Sequence, residues 1–498
     1  MPSMRPDAAA WSVGERIQSM SQLRNSEPET QAPGRLLRLF PAMESLEYRK
    51  LFYAAGLSAI SLWALITARG WLAGDLTNSG WAVGVVYFAA IGPWMLAPIG
   101  GALADRFDRA RVVMLSRIGA GILALALAIL AFTNEIALWN LILVTALSGI
   151  IRSAEMPAQA ALLPNTVKMA ALLSAITLAS MMQFGSRVIG PVAGPVLAEF
   201  GPGWVFLGAS ILLALSVWQM TRIKVRSTGG IVAGTTSGIL RDAATHVREG
   251  LAYLGRAPGV RMLIALTALH CMLVMSFDAL LVVFAKNVLG GGANEYGYLV
   301  MGVGGGALVA TVALSMVPAG PIRGRLMLFC GLSSGILMPI LGLAGSLPIA
   351  ILGAALVGGT QAMFMALSSV MIQAVVPDAI RGRVMSLYAM FAGGIMALMI
   401  LANGLASDVV NVRYLLTIPG ILFFVALLLW AVGMPRLRST FVHGELVEES
   451  MVARASAAVS AAATVVINSV AARWAPQQDV AEERLGSGGG GGAGGGGG

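Results

Sequence analysis

An arginine and a glutamate stand three positions apart inside a long apolar segment of this chain, at Arg152 and Glu155. Residues with this spacing lie on one face of a helix, so the two side chains can pair. A charge within an apolar segment that is long enough to cross a membrane is costly and is usually functional. Two interpretations stay open. Arg152 tunes the proton affinity of Glu155 through its charge, or the two form a neutralised pair that locks the helix.

Other ionisable residues in apolar segments are candidates for proton handling or substrate binding. Asp278 has no close sequence neighbour of opposite charge, so it could protonate and deprotonate during a working cycle; the alternative is a solvated residue near the outer surface. His270, two turns away on the same helix, could relay protons or could simply be hydrogen-bonded. Arg187 could hold an anionic substrate or pair with Glu155. We expect Arg69, near a helix end, to extend to the membrane surface.

A third set of residues is large and adaptable, and could line a cavity that accepts amphiphilic molecules. Methionine fits irregular shapes, which suits a pocket of broad specificity. The alternative for each member is ordinary helix packing or contact with lipid. The set consists of Trp63, Trp94, Met181, Met182, Gln183, Phe364, Met365, Met390 and Phe391.

The elements that must position these residues are membrane-crossing helices. Of the 498 residues, 57% are hydrophobic and 11% are charged, and the mean hydropathy is +0.80. Soluble domains carry about 25% charged residues, so the composition excludes a soluble protein. One crossing takes about 20 apolar residues. The predicted spans are 51–73, 80–103, 112–132, 136–160, 171–198, 203–221, 261–287, 296–318, 326–344, 347–374, 384–407 and 413–433.

Charged residues alternate in sign along the connections between these spans, which predicts the orientation of the chain. The connections expected in the cytoplasm carry Arg106, Arg109, Arg111, Lys168, Arg222, Lys224, Arg226, Arg323, Arg325, Arg381, Arg383, Arg436 and Arg438. The opposite connections carry Asp75, Glu135, Glu199, Glu295 and Asp408, with Arg413 as the main exception. We therefore expect both termini in the cytoplasm. The net charge of +9 then reflects topology and not binding to nucleic acid.

The chain divides into five predicted regions: a cytoplasmic segment (1–48), six helices (49–221), a linker (222–260), six more helices (261–434) and a largely disordered Gly-rich cytoplasmic tail (435–498). The linker predicts an amphipathic helix on the membrane surface. Apolar residues recur at helical spacing in it, at Leu240, Ala244, Val247, Leu251 and Leu254.

The two sets of six helices also resemble one another in sequence. Residues 162–181 align with 375–394, which share a proline, a polar turn and a following apolar helix. The basic connection at 101–111 has a weaker counterpart at 319–325 that lacks its acid. Repeated halves around a central substrate site are a recurring plan of secondary transporters. The alternative is chance similarity among apolar helices.

The connection GALADRFDRAR (101–111) resembles the signature G-x-x-x-D-R/K-x-G-R/K-R/K of the major facilitator superfamily, and the resemblance of the chain covers about residues 45–435. It implies an all-α membrane protein with twelve transmembrane helices in two pseudo-symmetric halves. The positions that match the signature are Gly101, Asp105, Arg106 and Arg109.

The resemblance also implies a role for this connection, although Asp108 and Ala110 depart from the signature. Asp105 and the arginines would form a latch between the inner ends of spans 2 and 11, with Arg381 or Arg383 nearby. A carboxylate paired with arginine and with a helix N-terminus makes a lock that can be broken. The alternative is that the charges set topology alone.

The fifth span contains GPVAGP (190–195), which is similar to the G-P-x-x-G-G element of antiporter members, with Pro195 at the last glycine. Gly190, Pro191 and Gly194 predict a kink, because proline interrupts the hydrogen-bond ladder and small residues allow close helix contact. An ordinary packing helix is the alternative. Three strings further resemble bacterial enterobactin-exporter-like and macrolide-efflux-like permeases: 48–63, 248–264 and 375–388.

This resemblance implies a secondary active transporter in the bacterial inner membrane that exports a drug, siderophore or metabolite in exchange for protons. The alternatives are an importer or uniporter of the same fold, or a membrane scaffold or sensor that does not transport. No nucleophile–base or metal-binding set is visible, so we expect neither enzyme activity nor a cofactor. The expected partners are the substrate, protons and the bilayer, with the chain acting as a monomer.

Overall fold

The structure is a computed structural model that describes residues 40–168, 171–224, 236–318 and 320–444. These ranges contain helices and connections and no β-strand, so the predicted all-α architecture is confirmed. Most of the predicted N-terminal segment (1–39), the start of the linker (225–235) and the tail beyond residue 444 lie outside the described residues.

In the described part of the chain, nine α-helices precede the linker helix. Their bounds are α1 Leu46–Thr77, α2 Gly80–Ile91, α3 Ala97–Arg106, α4 Arg109–Phe132, α5 Leu138–Arg152, α6 Glu155–Leu162, α7 Leu172–Ile189, α8 Ala193–Phe200 and α9 Pro202–Thr221. Short 3₁₀ turns join some of them, at Gly92–Leu96 between α2 and α3 and at Gly190–Val192 between α7 and α8.

The linker helix and the helices that follow it complete the described chain. Their bounds are α10 Thr236–Arg256, α11 Pro258–His270, α12 Asp278–Asn287, α13 Ala293–Ser315, α14 Pro321–Leu343, α15 Leu347–Val375, α16 Asp378–Ala406, α17 Val412–Gly433 and α18 Pro435–His443. A π-helical turn at Cys271–Met275 separates α11 from α12. Such turns are rare and often accompany functional sites.

Eleven segments of the described chain are long and apolar enough to cross a membrane. They coincide with the predicted spans except the fifth (171–198), which the structure divides into α7, the 3₁₀ turn and α8. Pro191 lies in that turn and has no N–H to donate, so the helix is interrupted where the sequence predicts a kink. The predicted count of twelve spans is thus matched at eleven positions.

Helices from before and after the linker pack closely at two places, α2 against α16, and α7 and α8 against α13. A Cβ added at Gly84 would lie 3.0 Å from the Cα of Gly404, and one at Gly194 would lie 3.0 Å from the Cα of Gly297. These glycines allow the helix backbones to approach each other, as small residues do in membrane helix interfaces. The contacts hold the two sets of helices together.

The linker helix α10 packs against α3 and α16. Ala243 and Leu254 are buried, whereas Leu251 is 46% exposed. The predicted apolar face is therefore split between the protein interior and the surface. Arg248 on the same helix is exposed, so the helix keeps an amphipathic character outside its packed face.

Candidate functional site

A cavity of about 110 Å³ lies among α1, α2, α5, α6 and α7. We call it the central cavity. It mixes apolar walls with a group of polar and charged side chains. The polar members are Ser58, Arg69, Thr145, Ser148, Arg152, Glu155, Gln159 and Gln183.

Glu155 is the acid of this cavity, and it accepts hydrogen bonds from two donors and forms an ion pair with a further arginine. Arg117 Nε donates to Glu155 Oε1 over 2.8 Å, and Ser58 Oγ donates to the same oxygen over 3.0 Å. Arg152 Nη2 lies 3.3 Å from Glu155 Oε2. The predicted pairing of Arg152 with Glu155 is therefore present, although the residues lie at the end of α5 and the start of α6 and not within one helix.

Arg117 is a member of this group that the sequence reasoning missed. It is fully buried, and besides Glu155 it donates to Ser216 Oγ over 2.9 Å and to Gln159 Oε1 over 2.5 Å. Its position inside the predicted span 112–132 was the available signal, because a buried arginine requires partners. We call Arg117, Arg152, Glu155, Ser58 and Gln159 the Glu155 cluster.

Arg69 lies in the central cavity and not at the membrane surface, so the expectation that it extends outward is wrong. Arg69 is 4% exposed, because α1 carries it on the face that packs inside the bundle. Its Nε and Nη2 atoms are buried and have no hydrogen-bond partner within the described residues. The cavity therefore contains an arginine whose hydrogen-bonding capacity is not used.

A second charged group joins α7 to α12. Arg187 Nη2 donates to Asp278 Oδ1 over 2.7 Å, and the Arg187 guanidinium carbon lies 4.4 Å from the centre of the Trp63 ring. Arg187 thus pairs with Asp278 and not with Glu155, because α7 packs against α13 and α1 and presents this side chain towards the start of α12. Asp278 is 9% exposed, so it is not a solvated vestibule residue.

Two tyrosines lie in the same region and also connect helices from before and after the linker. The hydroxyl groups of Tyr87 on α2 and Tyr296 on α13 are 2.5 Å apart. The Trp71 ring stacks on Tyr296, with centroids 6.2 Å apart. The Arg187–Asp278 pair, whose side chains are 13% and 12% exposed, therefore lies in a largely aromatic region.

His270 is fully buried in an aromatic group. Its Nε2 lies 3.3 Å from Ser334 Oγ, and its ring lies 4.3 Å from the ring of Phe364 and 4.9 Å from that of Phe423. These contacts match the interpretation of a hydrogen-bonded core histidine, and the proton relay stays a prediction. Phe364 is also fully buried here, so its predicted place in a substrate cavity is wrong.

The other predicted cavity residues are distributed over several places. Gln183 lines the central cavity and, with Met182, a smaller neighbouring cavity. Met365 contacts the Cys271 thiol over 3.7 Å. Phe391 lines a separate groove of about 600 Å³ beside α10 and α11. The predicted cavity residues therefore do not line one common cavity in this structure.

The connection at 101–111 is described in part. The side chains of Gly101, Asp105 and Arg106 lie outside the described residues. Asp108 caps α4 by accepting a hydrogen bond from the Arg111 N–H over 2.9 Å, which explains an acid where the signature prefers glycine. Arg109 Nη1 donates to Ala161 O over 3.0 Å.

The inner end of α16 carries the other predicted latch residues. Arg383 forms an ion pair with Glu249 of the linker helix. Arg381 Nη2 donates to Val376 O over 3.3 Å. Because α3 and α16 are in contact, the two predicted parts of the latch come from neighbouring helices, and the latch itself stays a prediction.

The opposite end of the same helix pair carries an acid that the sequence analysis used only for topology. Asp408 accepts hydrogen bonds from Ser79 Oγ over 2.5 Å, from the Gly80 N–H over 2.6 Å and from the Trp81 N–H over 3.2 Å. Partial burial favours the protonated form of Asp408, but these hydrogen bonds outweigh it and lower the pKa of the carboxyl below its usual value. The connection after α16 is thus tied to the N-terminus of α2.

Within the described residues, no group of three or more His, Cys, Asp or Glu side chains could hold a metal ion. What the site offers is a set of hydrogen-bonded charges. One carboxylate lies between two arginines, another is paired across helices, and both Arg69 and Arg152 have buried donor atoms without a hydrogen-bond partner among the described residues.

Comparison with known proteins gives a family and several relatives. A family model described as "transmembrane secretion effector" matches residues 40–473. YfiS, an uncharacterized transporter of the major facilitator type from Bacillus subtilis, is 26% identical over 226 residues, which are 44% of this chain and 51% of that protein. The enterobactin exporter EntS of Shigella boydii is 27% identical over 363 residues, which are 71% of this chain and 82% of that protein.

Solved structures of transporters share the fold. A POT family transporter in complex with a thioalcohol-conjugated peptide superimposes with a TM-score of 0.64 at 13% identity, over 78% of this chain and 96% of that one. The human organic anion transporter MFSD10 superimposes with a TM-score of 0.57 at 16% identity, over 77% of this chain and 99% of that one. At these identities the likeness shows the fold alone.

Proposed function

The chain belongs to the transmembrane secretion effector family of the major facilitator superfamily, and from this membership we propose that it exports a small molecule in exchange for protons. A membrane transporter of this type works between two conformations that open to opposite sides. Coupling requires that protonation and substrate binding favour these conformations differently. The proposal therefore needs a titratable group whose charge state affects how the two sets of helices pack.

The Arg187–Asp278 ion pair is the observation that carries this proposal. It joins α7, which precedes the linker, to α12, which follows it. Protonation of Asp278 removes the negative charge that holds Arg187, so the pair weakens and the packing of the two sets of helices changes. The stacking of Arg187 on Trp63 then retains the guanidinium on the side of α1. In this proposal Asp278 is the group that carries the proton.

Glu155 has a different role in the proposal, because its surroundings differ. Protonation of Glu155 would leave both Arg117 and Arg152 without their carboxylate, whereas protonation of Asp278 leaves one arginine. The Glu155 cluster also lies entirely among helices that precede the linker. We therefore assign it to holding α1, α4, α5 and α6 together beside the substrate.

In this proposal, α2 and α3 are tied to α16 by an acid at each of their two ends, and alternating access depends on these two ties. Asp408 ties the start of α2 to the end of α16, and the predicted latch around Asp105 lies at the other end. Release of one tie while the other forms would open one side of the cavity at a time. The basic connections support a cytoplasmic position for the Asp105 end and for both termini.

Export and the nature of the cargo are proposed from a relative and from the lining of the central cavity. EntS, the relative that covers most of this chain among those described above, is an enterobactin exporter, and the central cavity combines apolar walls with polar groups. We propose a drug, siderophore or metabolite as cargo, a monomeric transporter and a location in the bacterial inner membrane. Import or uniport by the same fold, and a non-transporting scaffold or sensor, are the alternatives.

The experiment uses inside-out membrane vesicles whose interior has been acidified, so that the proton gradient is directed outward, and a fluorescent pH indicator. A panel of amphiphilic compounds is added one at a time, and a transported compound dissipates the gradient as it enters. We expect dissipation with wild type and none with Asp278→Asn. Arg261→Gln, at an exposed arginine away from the pair, is the matched control and should behave as wild type.

Two outcomes would contradict the proposal. Accumulation that continues after the pH gradient is collapsed would exclude proton-driven export. Wild-type gradient dissipation by Asp278→Asn would exclude Asp278 as the proton-carrying group. A uniporter would equilibrate a compound without gradient dissipation, and a scaffold or sensor would move no compound of the panel.

A further inference from the structure

The charges around the central cavity do not balance among the residues that the structure describes. Three arginines lie in or beside it, Arg69, Arg117 and Arg152, against one acid, Glu155. Both Arg117 and Arg152 are paired with Glu155, which is also hydrogen-bonded to Ser58. Arg69 forms no ion pair in the described part of the chain. The cavity therefore carries an excess of positive charge.

Arg69 is the residue in which this excess is concentrated. It is 4% exposed, and its Nε and Nη2 are buried without a hydrogen-bond partner among the described residues. Arg152, whose charge acts on Arg69 by repulsion, has an unpartnered buried Nη1 in the same cavity. A buried charge is costly unless it is paired and hydrogen-bonded. Two guanidinium groups thus present unused donors to one space.

The two buried acids of these helices, Glu155 and Asp278, are already paired with other arginines. Glu155 binds two arginines and a serine, and Asp278 binds Arg187 over 2.7 Å. Besides its polar residues, the cavity that contains Arg69 has an apolar and aromatic part of its lining, which includes Leu62, Ile66, Ala90, Ile91 and Trp94. Such a space accepts an apolar body with an anionic group at one end.

We propose that Arg69, assisted by Arg152, binds an anionic group of the transported molecule. The ligand class is an organic anion with a carboxylate, sulfonate or phosphate on an apolar or aromatic scaffold. Guanidinium groups bind such oxygens through paired, charge-assisted hydrogen bonds. The inference rests on the proposed transport function, whose substrate class it names.

A ligand-binding role and a structural role for Arg69 predict opposite effects on stability. If Arg69 only supported the fold, Arg69→Gln would lower the melting temperature of the ligand-free protein. If it is held ready for an anion, the substitution removes an unpaired buried charge. The ligand-free variant should then melt at the wild-type temperature or above it.

The experiment measures binding to purified protein in detergent by thermal shift and titration calorimetry. Three probes share one ring system and differ in charge: 1-naphthoate is negative, 1-naphthamide is neutral and 1-naphthylmethylamine is positive. We expect wild type to bind the naphthoate about tenfold more tightly than the amide, and the amine most weakly. In Arg69→Gln the three affinities should agree within about twofold, since the charge that discriminates them is absent.

Two further variants complete the test. Arg69→Lys keeps the charge and should retain part of the preference for the anion, which separates loss of charge from loss of fold. Arg261→Gln removes an exposed arginine outside the central cavity, and this variant should retain the full preference for the anion. Equal binding of the three probes by wild type, an unchanged preference in Arg69→Gln, or no preference in a folded Arg69→Lys would each overturn the inference.

Failure of this inference is distinguishable from failure of the proposed function. Binding in detergent requires neither a proton gradient nor a transport direction. A preference for the anion without proton-driven transport in vesicles would remove the proposed function and leave the anion site. Proton-driven transport by a protein that binds all three probes equally would remove the anion site and leave the proposed function.

Discussion

The Glu155 cluster and the Arg187–Asp278 pair are both buried groups of charges, but they differ in balance and in what they connect. The cluster has one carboxylate for two arginines, and Arg69 beside it adds another positive charge. The pair has one charge of each sign and links helices from before and after the linker. An unbalanced group is suited to receive a charged ligand. A balanced pair across two moving parts is suited to respond to a proton.

The largest expected effect is a loss of stability in the Glu155 cluster. Glu155→Gln removes the carboxylate that two buried arginines share, and breaking such a buried pair costs about 3–5 kcal/mol. We expect a large drop in the melting temperature of the purified protein. Arg69→Gln, in the same cavity, is the comparison and should not lower it. Equal melting temperatures of Glu155→Gln and wild type would show that the cluster contributes little to the fold.

The next prediction concerns the pair itself and uses a double-mutant cycle. Arg187→Gln and Asp278→Asn each leave one buried charge without its partner, whereas the double variant leaves none. We expect the two single effects on stability to exceed the effect of the double variant by about 2 kcal/mol. Additive effects, measured by the same thermal unfolding, would mean that the two residues do not interact in the folded protein.

A smaller effect is expected at Ser58, which bridges the Glu155 cluster. Its hydroxyl donates to Glu155 over 3.0 Å and accepts from Arg152 Nη2 over 3.1 Å. Ser58→Ala should cost about 1 kcal/mol of stability, the typical loss for one hydrogen-bonded group. Ser61→Ala is the matched control, since its hydroxyl donates to a backbone carbonyl of α9. A larger loss at Ser61 than at Ser58 would contradict a special role of the bridge.

The smallest effect is the pH dependence of the tie between Asp408 and the N-terminus of α2. Because the pKa of Asp408 is lowered in the tied state below its usual 3.8, the tie is fully stabilising above that value and is lost as the pH falls through the lowered pKa. At neutral pH the interaction with the helix N-terminus should be worth about 0.5 kcal/mol, since the site is exposed. Asp408→Asn should therefore shift the open and closed populations about twofold at pH 7.

Spin labels at Glu135→Cys and Val410→Cys, both exposed positions at that end, would report this shift as a change in the distance distribution. The same labels in wild type should show the shift below about pH 4 and none between pH 6 and 8. An Asp408→Asn variant that matches wild type at pH 7 would show that the tie does not influence opening.

Much of the fold could be predicted from local sequence, whereas the residues of the candidate site could be predicted only in part. The spans were predictable because an apolar run of the length of a bilayer is a property of consecutive residues. The kink at Pro191 was predictable because proline acts on its own helix. Arg69 was misjudged because its distance from a helix end does not say which way its side chain points. Phe364 was misplaced because aromatic residues suit a core and a cavity equally well.

The sequence by itself determined that this chain crosses the membrane many times, and it predicted which connections lie on the cytoplasmic side. It also showed that rare charges stand inside the spans. Only the tertiary structure decided which charges meet, because partners such as Arg117 and Glu155, or Arg187 and Asp278, come from different helices. Their meeting depends on how each helix is rotated and packed. That rotation is set by contacts along whole helices, among them the glycine contacts of α2 with α16, and by no short stretch of sequence.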